Sequence, residues 1–152
     1  MRKLFLVLSV IGIVILGTKC KEDSEDPDIM GCTDSLSLNY NPAANIDDGS
    51  CLFEGSITFW YNEATRQELI ADGVQSLNFY INGINRASNT RFLYQAGTED
   101  CSDDDNTSFV IPGSENSFAI TYSVRDQTGN VIVDGSARIH ANKCTLVKLT
   151  LL

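Results

Sequence analysis

The sequence predicts an all-β fold, an antiparallel β-sandwich preceded by a small loop-rich disulfide unit and a disordered tether. Three observations carry that expectation. Between Phe53 and Leu152 apolar and polar residues alternate at period 2, the mark of half-buried strands. Turn residues such as Asn82-Gly83 punctuate the alternating stretches. Ahead of them, Cys32 and Cys51 bracket a segment dense in Asp, Asn, Gly and Ser, with too little apolar surface for a core.

The strands follow in order. Ile57, Phe59 and Tyr61 alternate with Ser56, Thr58 and Trp60, and Leu77, Phe79 and Ile81 form a second run that ends at the Asn82-Gly83 hairpin signal. Weaker strands are expected at Arg91 to Gln95 and Ser108 to Ile111. Phe118, Ile120, Tyr122 and Val124 alternate with Ala119, Thr121, Ser123 and Arg125 before an Asp126-Gln127-Thr128-Gly129 turn. Val131, Val133, Ala137 and Ile139 suggest a strand broken near Asp134-Gly135, where a bulge would fit. Thr145, Val147, Leu149 and Leu151 make the last strand, opposite Cys144, Leu146 and Lys148. Ala64 to Ala71 is the one stretch with helical character, short enough for a single turn or a loop.

Seven or so short strands with Gly and Asn turns describe a sandwich that is immunoglobulin-like or transthyretin-like in outline. The order of features, from Phe59-Trp60 through Asn82-Gly83 and a mid-domain cysteine to Cys144 before a hydrophobic strand, resembles small β-sandwich lipoproteins of bacteroidete bacteria. That resemblance is loose and assigns no activity.

The N-terminus has the layout of a secretory signal peptide, with Arg2 and Lys3, an uncharged run from Leu4 to Gly17, and then Thr18-Lys19-Cys20. As a helix the run spans about 21 Å, short of the roughly 30 Å hydrocarbon core. A stable spanning helix is therefore the weaker reading, with an uncleaved anchor as the alternative. Ile15, Leu16 and Lys19 offer no clean A-x-A cleavage site. The segment resembles a lipoprotein signal, which implies processing at Cys20 and a lipid such as palmitate there; Lys19 departs from that pattern. The expected division is 1–19 signal peptide, 20–30 acidic tether, 31–52 loop unit and 53–152 sandwich.

Lys21-Glu22-Asp23-Ser24-Glu25-Asp26-Pro27-Asp28 has nothing apolar to bury and reads as a self-repelling tether. A lysine and two acids directly after the lipid cysteine resemble the surface-export signal of bacteroidete lipoproteins. That implies an outer-membrane protein facing outward. Gly31-Cys32-Thr33-Asp34, Asn39-Tyr40-Asn41-Pro42 and Asp47-Asp48-Gly49-Ser50-Cys51 resemble a cysteine-bracketed repeat of secreted bacteroidete proteins. The match covers residues 31–51, with Ser35 and Ser37 where that repeat often has proline and alanine, and it implies an extracellular setting.

Asp34, Asn39, Asn41, Asn45, Asp47 and Asp48 are hard oxygen donors of the kind calcium takes, with Asp34, Asp47 and Asp48 the candidate carboxylate ligands. Ala44 and Ile46 fall where an EF-hand loop needs ligands, so a turn network is the competing reading.

The chain has five cysteines. With lipid on Cys20, four remain, and they allow three connectivities. Cys32 with Cys51 and Cys101 with Cys144 is the expected pairing, since each pair falls within one apparent unit; free thiols are the alternative. Loss of residues 1–19 leaves 8 basic against 20 acidic residues, a net charge near −12. Such a surface repels nucleic acid.

His140 is the only histidine, and no nucleophile-elbow, zincin, dinucleotide or P-loop pattern occurs. No catalytic residue is therefore assigned. Glu99 to Asp105 is an acidic loop around Cys101, read as solvated. Trp60, Tyr61, Tyr80, Tyr94 and Tyr122 read mainly as packing, with glycan stacking open if Trp60 and Tyr80 face outward on one sheet. Asn106-Thr107-Ser108 fits a glycosylation sequon, and Asp34-Ser35-Leu36 resembles the bacteroidete O-glycosylation pattern. The functional expectation is a non-catalytic, lipid-anchored envelope lipoprotein that binds a protein or glycan or serves as an accessory. The competing readings are a calcium-dependent adhesin-like module and a small hydrolase using acidic residues.

Overall fold

A computed structural model describes residues 27–90 and 95–150. Residues 1–26, with Cys20 and the signal and tether assignments, lie outside that range, as do most of the weak strand at Arg91 to Gln95 and the end of the last strand at Leu151.

The fold is an all-β sandwich. β1 (Met30–Gly31) and β2 (Ile46–Asp47) form a small parallel ladder in the loop unit. β3 (Phe53–Trp60) is followed by α1 (Glu63–Ala71), β4 (Leu77–Ile81), β5 (Ile84–Asn89), β6 (Thr107–Gly113), β7 (Ser117–Arg125), β8 (Val131–His140) and β9 (Cys144–Lys148). One sheet has the order β6-β3-β9 and the other β5-β4-β7-β8. In the first, β3 pairs antiparallel with β6 and parallel with β9, so the first and last strands of the sandwich lie side by side.

Alternation sets what faces inward. Ile57 and Phe59 from one sheet meet Phe79, Ile81, Val124 and Ile139 from the other, each at most 1 % exposed. Phe59 is the hub, with ring centroids 5.2 Å from Phe79, 5.4 Å from Tyr122 and 6.2 Å from Phe109. Tilted and edge-on aromatic pairs of this kind add to the burial they provide.

Asn82 and Gly83 both have positive φ, 50° and 77°, as a type I′ hairpin requires. The partner strand β5 has no alternating apolar pattern because it is the edge, with Ile84, Asn85 and Arg86 exposed. Pro112, which cannot donate a ladder bond, sits on the other sheet's edge strand β6.

Two expectations are corrected. β8 runs unbroken through Asp134-Gly135, and its irregularity falls instead at Ile132, between the pairs Val124↔Val133 and Arg125↔Val131. Ile132 and Val133 are consequently both buried while Val131 is exposed. Gly135 is there for packing, since a Cβ would lie 2.6 Å from the Tyr122 hydroxyl on the neighbouring strand. The stretch expected to be one helical turn or a loop is α1, a nine-residue helix. The Asn62 side chain caps its start by accepting from Thr65 N at 3.0 Å, and Thr65 and Leu69 are its buried residues.

The loop unit is held by the Cys32–Cys51 disulfide, which closes a separation of 19 residues, and Cys32 is 1 % exposed. Cys101–Cys144 closes a separation of 43. In the chain-entropy model these bridges stabilise by about 3 and about 4 kcal/mol. The second bridge also explains Thr58, which points out of the core yet is 1 % exposed. The Cys144 sulfur lies 3.3 Å from its hydroxyl, which also shares a 2.8 Å hydrogen bond with Ser108.

At Gly55 the two sheets approach closely, because a Cβ there would collide with the backbone carbonyl oxygen of His140. Gly55→Ala should destabilise the fold by about 1 to 3 kcal/mol. Thermal denaturation followed by circular dichroism should show the lowered midpoint.

Candidate functional site

An open depression of about 640 Å³ lies on the outer face of the four-stranded sheet. Strand pairing builds its floor. Tyr80 pairs with Ser123, Ser123 with Asp134, and Thr121 with Ser136. These side chains share one face because Phe79, Ile81, Ile120, Tyr122 and Val124, between them in sequence, turn inward.

Arg125 closes one end. Its guanidinium carbon sits 5.1 Å from the Tyr80 ring centroid, and its Nε donates to Ser123 Oγ at 3.2 Å. No carboxylate among the described residues is within ion-pair distance of Arg125; the ion pair present, Arg66 with Glu63 at 3.1 Å, is on α1. Asp134 is exposed on the neighbouring strand β8. The expectations from sequence did not single out Arg125, Ser123 or Asp134. The signal was present, since Thr121, Ser123 and Arg125 occupy the polar phase of the β7 alternation.

The aromatic residues do not make a shared platform. Trp60 is on the three-stranded sheet under Lys148, whose amine is 5.2 Å from the ring centroid, whereas Tyr80 is on the four-stranded sheet. Tyr61 is 1 % exposed and Tyr122 packs on Phe59. Tyr94 lies outside the described residues. The condition for glycan stacking across Trp60 and Tyr80 is therefore not met.

The candidate calcium carboxylates are each engaged in local hydrogen bonds. Among the described residues no group of three or more His, Cys, Asp or Glu side chains is placed to hold a metal. Asp34 accepts from Leu36 N at 2.8 Å and from Asn116 Nδ2 at 3.2 Å. Asp47 accepts from Gly49 N at 3.0 Å and Asp48 from Ser50 N at 2.9 Å. Each carboxylate closes a local turn, and Asp34 with the Asn142 Nδ2 to Leu36 O bond of 2.9 Å fastens the loop unit to the sandwich.

The acidic loop is ordered in the same way. Asp100 accepts from the Ser102 amide and hydroxyl, both at 2.8 Å, and Asp103 from Thr98 N at 2.8 Å and Asp105 N at 2.9 Å. Asn106, the first residue of the glycosylation sequon, is 8 % exposed and donates to the Thr98 and Asp100 carbonyls at 2.8 and 2.6 Å. A Cβ at Gly97 would strike its side-chain oxygen. Its amide nitrogen is thus committed to the loop and shielded in the folded chain. Ser35 is exposed, and His140 is the exposed last residue of β8.

Comparison with protein-family models, curated proteins and solved structures returned no match.

Beside the depression, the β7–β8 turn is set by one carboxylate. Asp126 Oδ1 accepts from Thr128 N and Oγ1, both at 2.7 Å, and from Asn130 N at 2.9 Å, while Oδ2 accepts from Asn130 Nδ2 at 3.0 Å. The Thr128 hydroxyl foremost, then Asn130, holds its pKa below the ordinary 3.8. A depressed carboxylate stabilises the fold above its unfolded pKa, and that contribution is lost as pH falls through the folded value. Asp126→Asn should therefore lower the thermal midpoint at neutral pH and flatten its fall below about pH 3.8; unfolding scans between pH 7 and 2 check both.

Proposed function

We propose that this chain is a non-catalytic, lipid-anchored lipoprotein of the cell envelope, exposed at the outer surface, whose sandwich serves as a binding or accessory module. The observation that carries the reading is the cysteine pairing. Four of the five cysteines are consumed by Cys32–Cys51 and Cys101–Cys144, and only Cys20 remains outside these bridges. Cys20 is also the residue that follows the apolar run and opens the acidic segment. Structural disulfides suit an oxidising compartment, which is where a chain exported by such an N-terminus would fold.

The binding role draws on the polar depression at Arg125, a held cation on a strongly acidic chain. The non-catalytic reading draws on the carboxylates with lowered pKa, Asp48, Asp100 and Asp126. All are turn caps, Asp48 and Asp100 exposed and Asp126 half-buried, rather than paired acids in a cleft.

Cells expressing the wild-type chain should incorporate a tagged fatty acid into it, and Cys20→Ala should abolish the label. Equal labelling of the two sinks the anchor. Protease added to intact cells should remove the sandwich; full protection would place it on the inner face.

A further inference from the structure

We propose that the depression on the outer face of the four-stranded sheet binds a sugar that carries one carboxylate. Arg125 takes the carboxylate, while Asp134 and the hydroxyls of Thr121, Ser123 and Ser136 take the sugar hydroxyls. The proposal deepens the binding-module reading and rests on it for its biological setting.

Arg125 is prepared for an anion. Tyr80 supports the guanidinium at 5.1 Å and Ser123 fixes Nε at 3.2 Å, which holds the planar group at the depression it lines, with no acidic partner among the described residues. A guanidinium fixed in this way offers the two-pronged donor geometry that a carboxylate accepts. What sets Arg125 apart from the other described cations is that a ring and a hydroxyl hold its guanidinium beside the depression.

Asp134 decides what the rest of the ligand is. It accepts hydrogen bonds and donates none, so it repels a second anion and favours hydroxyl donors. The Thr121–Ser136 and Ser123–Asp134 pairs form two successive rows on one face. They lie about 7 Å apart along the strand and about 5 Å across, a spacing suited to one or two sugar rings. The volume of about 640 Å³ fits a small-molecule ligand.

A peptide is the less suitable occupant. Recognition of an extended peptide by strand addition uses unpaired backbone at a sheet edge, which in this sheet means the outer side of β5 or β8, whereas the depression opens on the face of the sheet. Tyr80 is the support for Arg125 and not a stacking surface for the ligand.

Calorimetric and 15N NMR titration of the full-length protein in detergent with methyl glucuronide, and with its neutral methyl ester, tests the proposal. The acid should bind saturably and shift the Arg125 Nε and Asp134 signals. The ester should bind about tenfold more weakly or worse, and so should Arg125→Gln titrated with the acid, as expected for loss of a charged hydrogen-bond partner. Arg125→Lys should fall between, since a point charge lacks the fork. No saturation at millimolar acid, equal binding of acid and ester, or an unaltered affinity in a folded Arg125→Gln protein would overturn it. The ester comparison needs no substitution, so it stands even if a variant fails to fold. Fatty-acid labelling at Cys20 is indifferent to these outcomes, so the two readings fail separately.

Discussion

The sandwich depends on β3 being held from both sides. Its antiparallel partner β6 and its parallel partner β9 come from the middle and the end of the chain, so the three-stranded sheet is not complete until the last strand is in place. Contacts this far apart in sequence carry a large loop-closure cost, which only burial can offset. Phe59 supplies much of it, because its ring meets aromatic rings from β4, β6 and β7 at once. The Cys101–Cys144 bridge acts on the same problem by tying the start of β9 to the loop ahead of β6.

The two outer faces then diverge. On the three-stranded sheet the bridge covers Thr58, and Lys148 covers Trp60, so the outward positions are occupied from within the chain. On the four-stranded sheet Arg125 lies over Tyr80 and is bonded to Ser123, while Asp134 and Ser136 on the neighbouring strand stay exposed, and the open depression lies among them. Gly135 contributes indirectly. By leaving room for the Tyr122 hydroxyl it lets β8 continue straight past that residue, which puts Asp134 and Ser136 on the open face.

What could be read in the sequence was whatever local pattern dictates. β4 and its Asn82-Gly83 turn were legible because buried Leu77, Phe79 and Ile81 lie two apart and the turn needs two positive φ values. The disulfide pairing was legible because each pair belongs to one unit. β5 was not, since an edge strand facing solvent has no apolar phase to display. The place of the β8 irregularity was hidden, because a glycine retained for a neighbour's side chain looks the same in sequence as one retained for backbone freedom. Sheet membership was hidden too, which is why Trp60 and Tyr80 could not be separated beforehand. The sequon at Asn106 was a fair match to a pattern, and only tertiary packing shows its amide facing Thr98 and Asp100.

The parallel pairing of β3 with β9 has a mechanical consequence. A pull applied at the N-terminal end of the described chain crosses from Cys32 to Cys51 through the disulfide and reaches β3 within two residues. A load directed along β3 is spread over the bonds to β6 and β9 together, as shear. Those ladders would have to slip as a whole, whereas a terminal strand peeled from an edge gives way one bond at a time. A domain wired in this order resists drag at the end where its first strand begins.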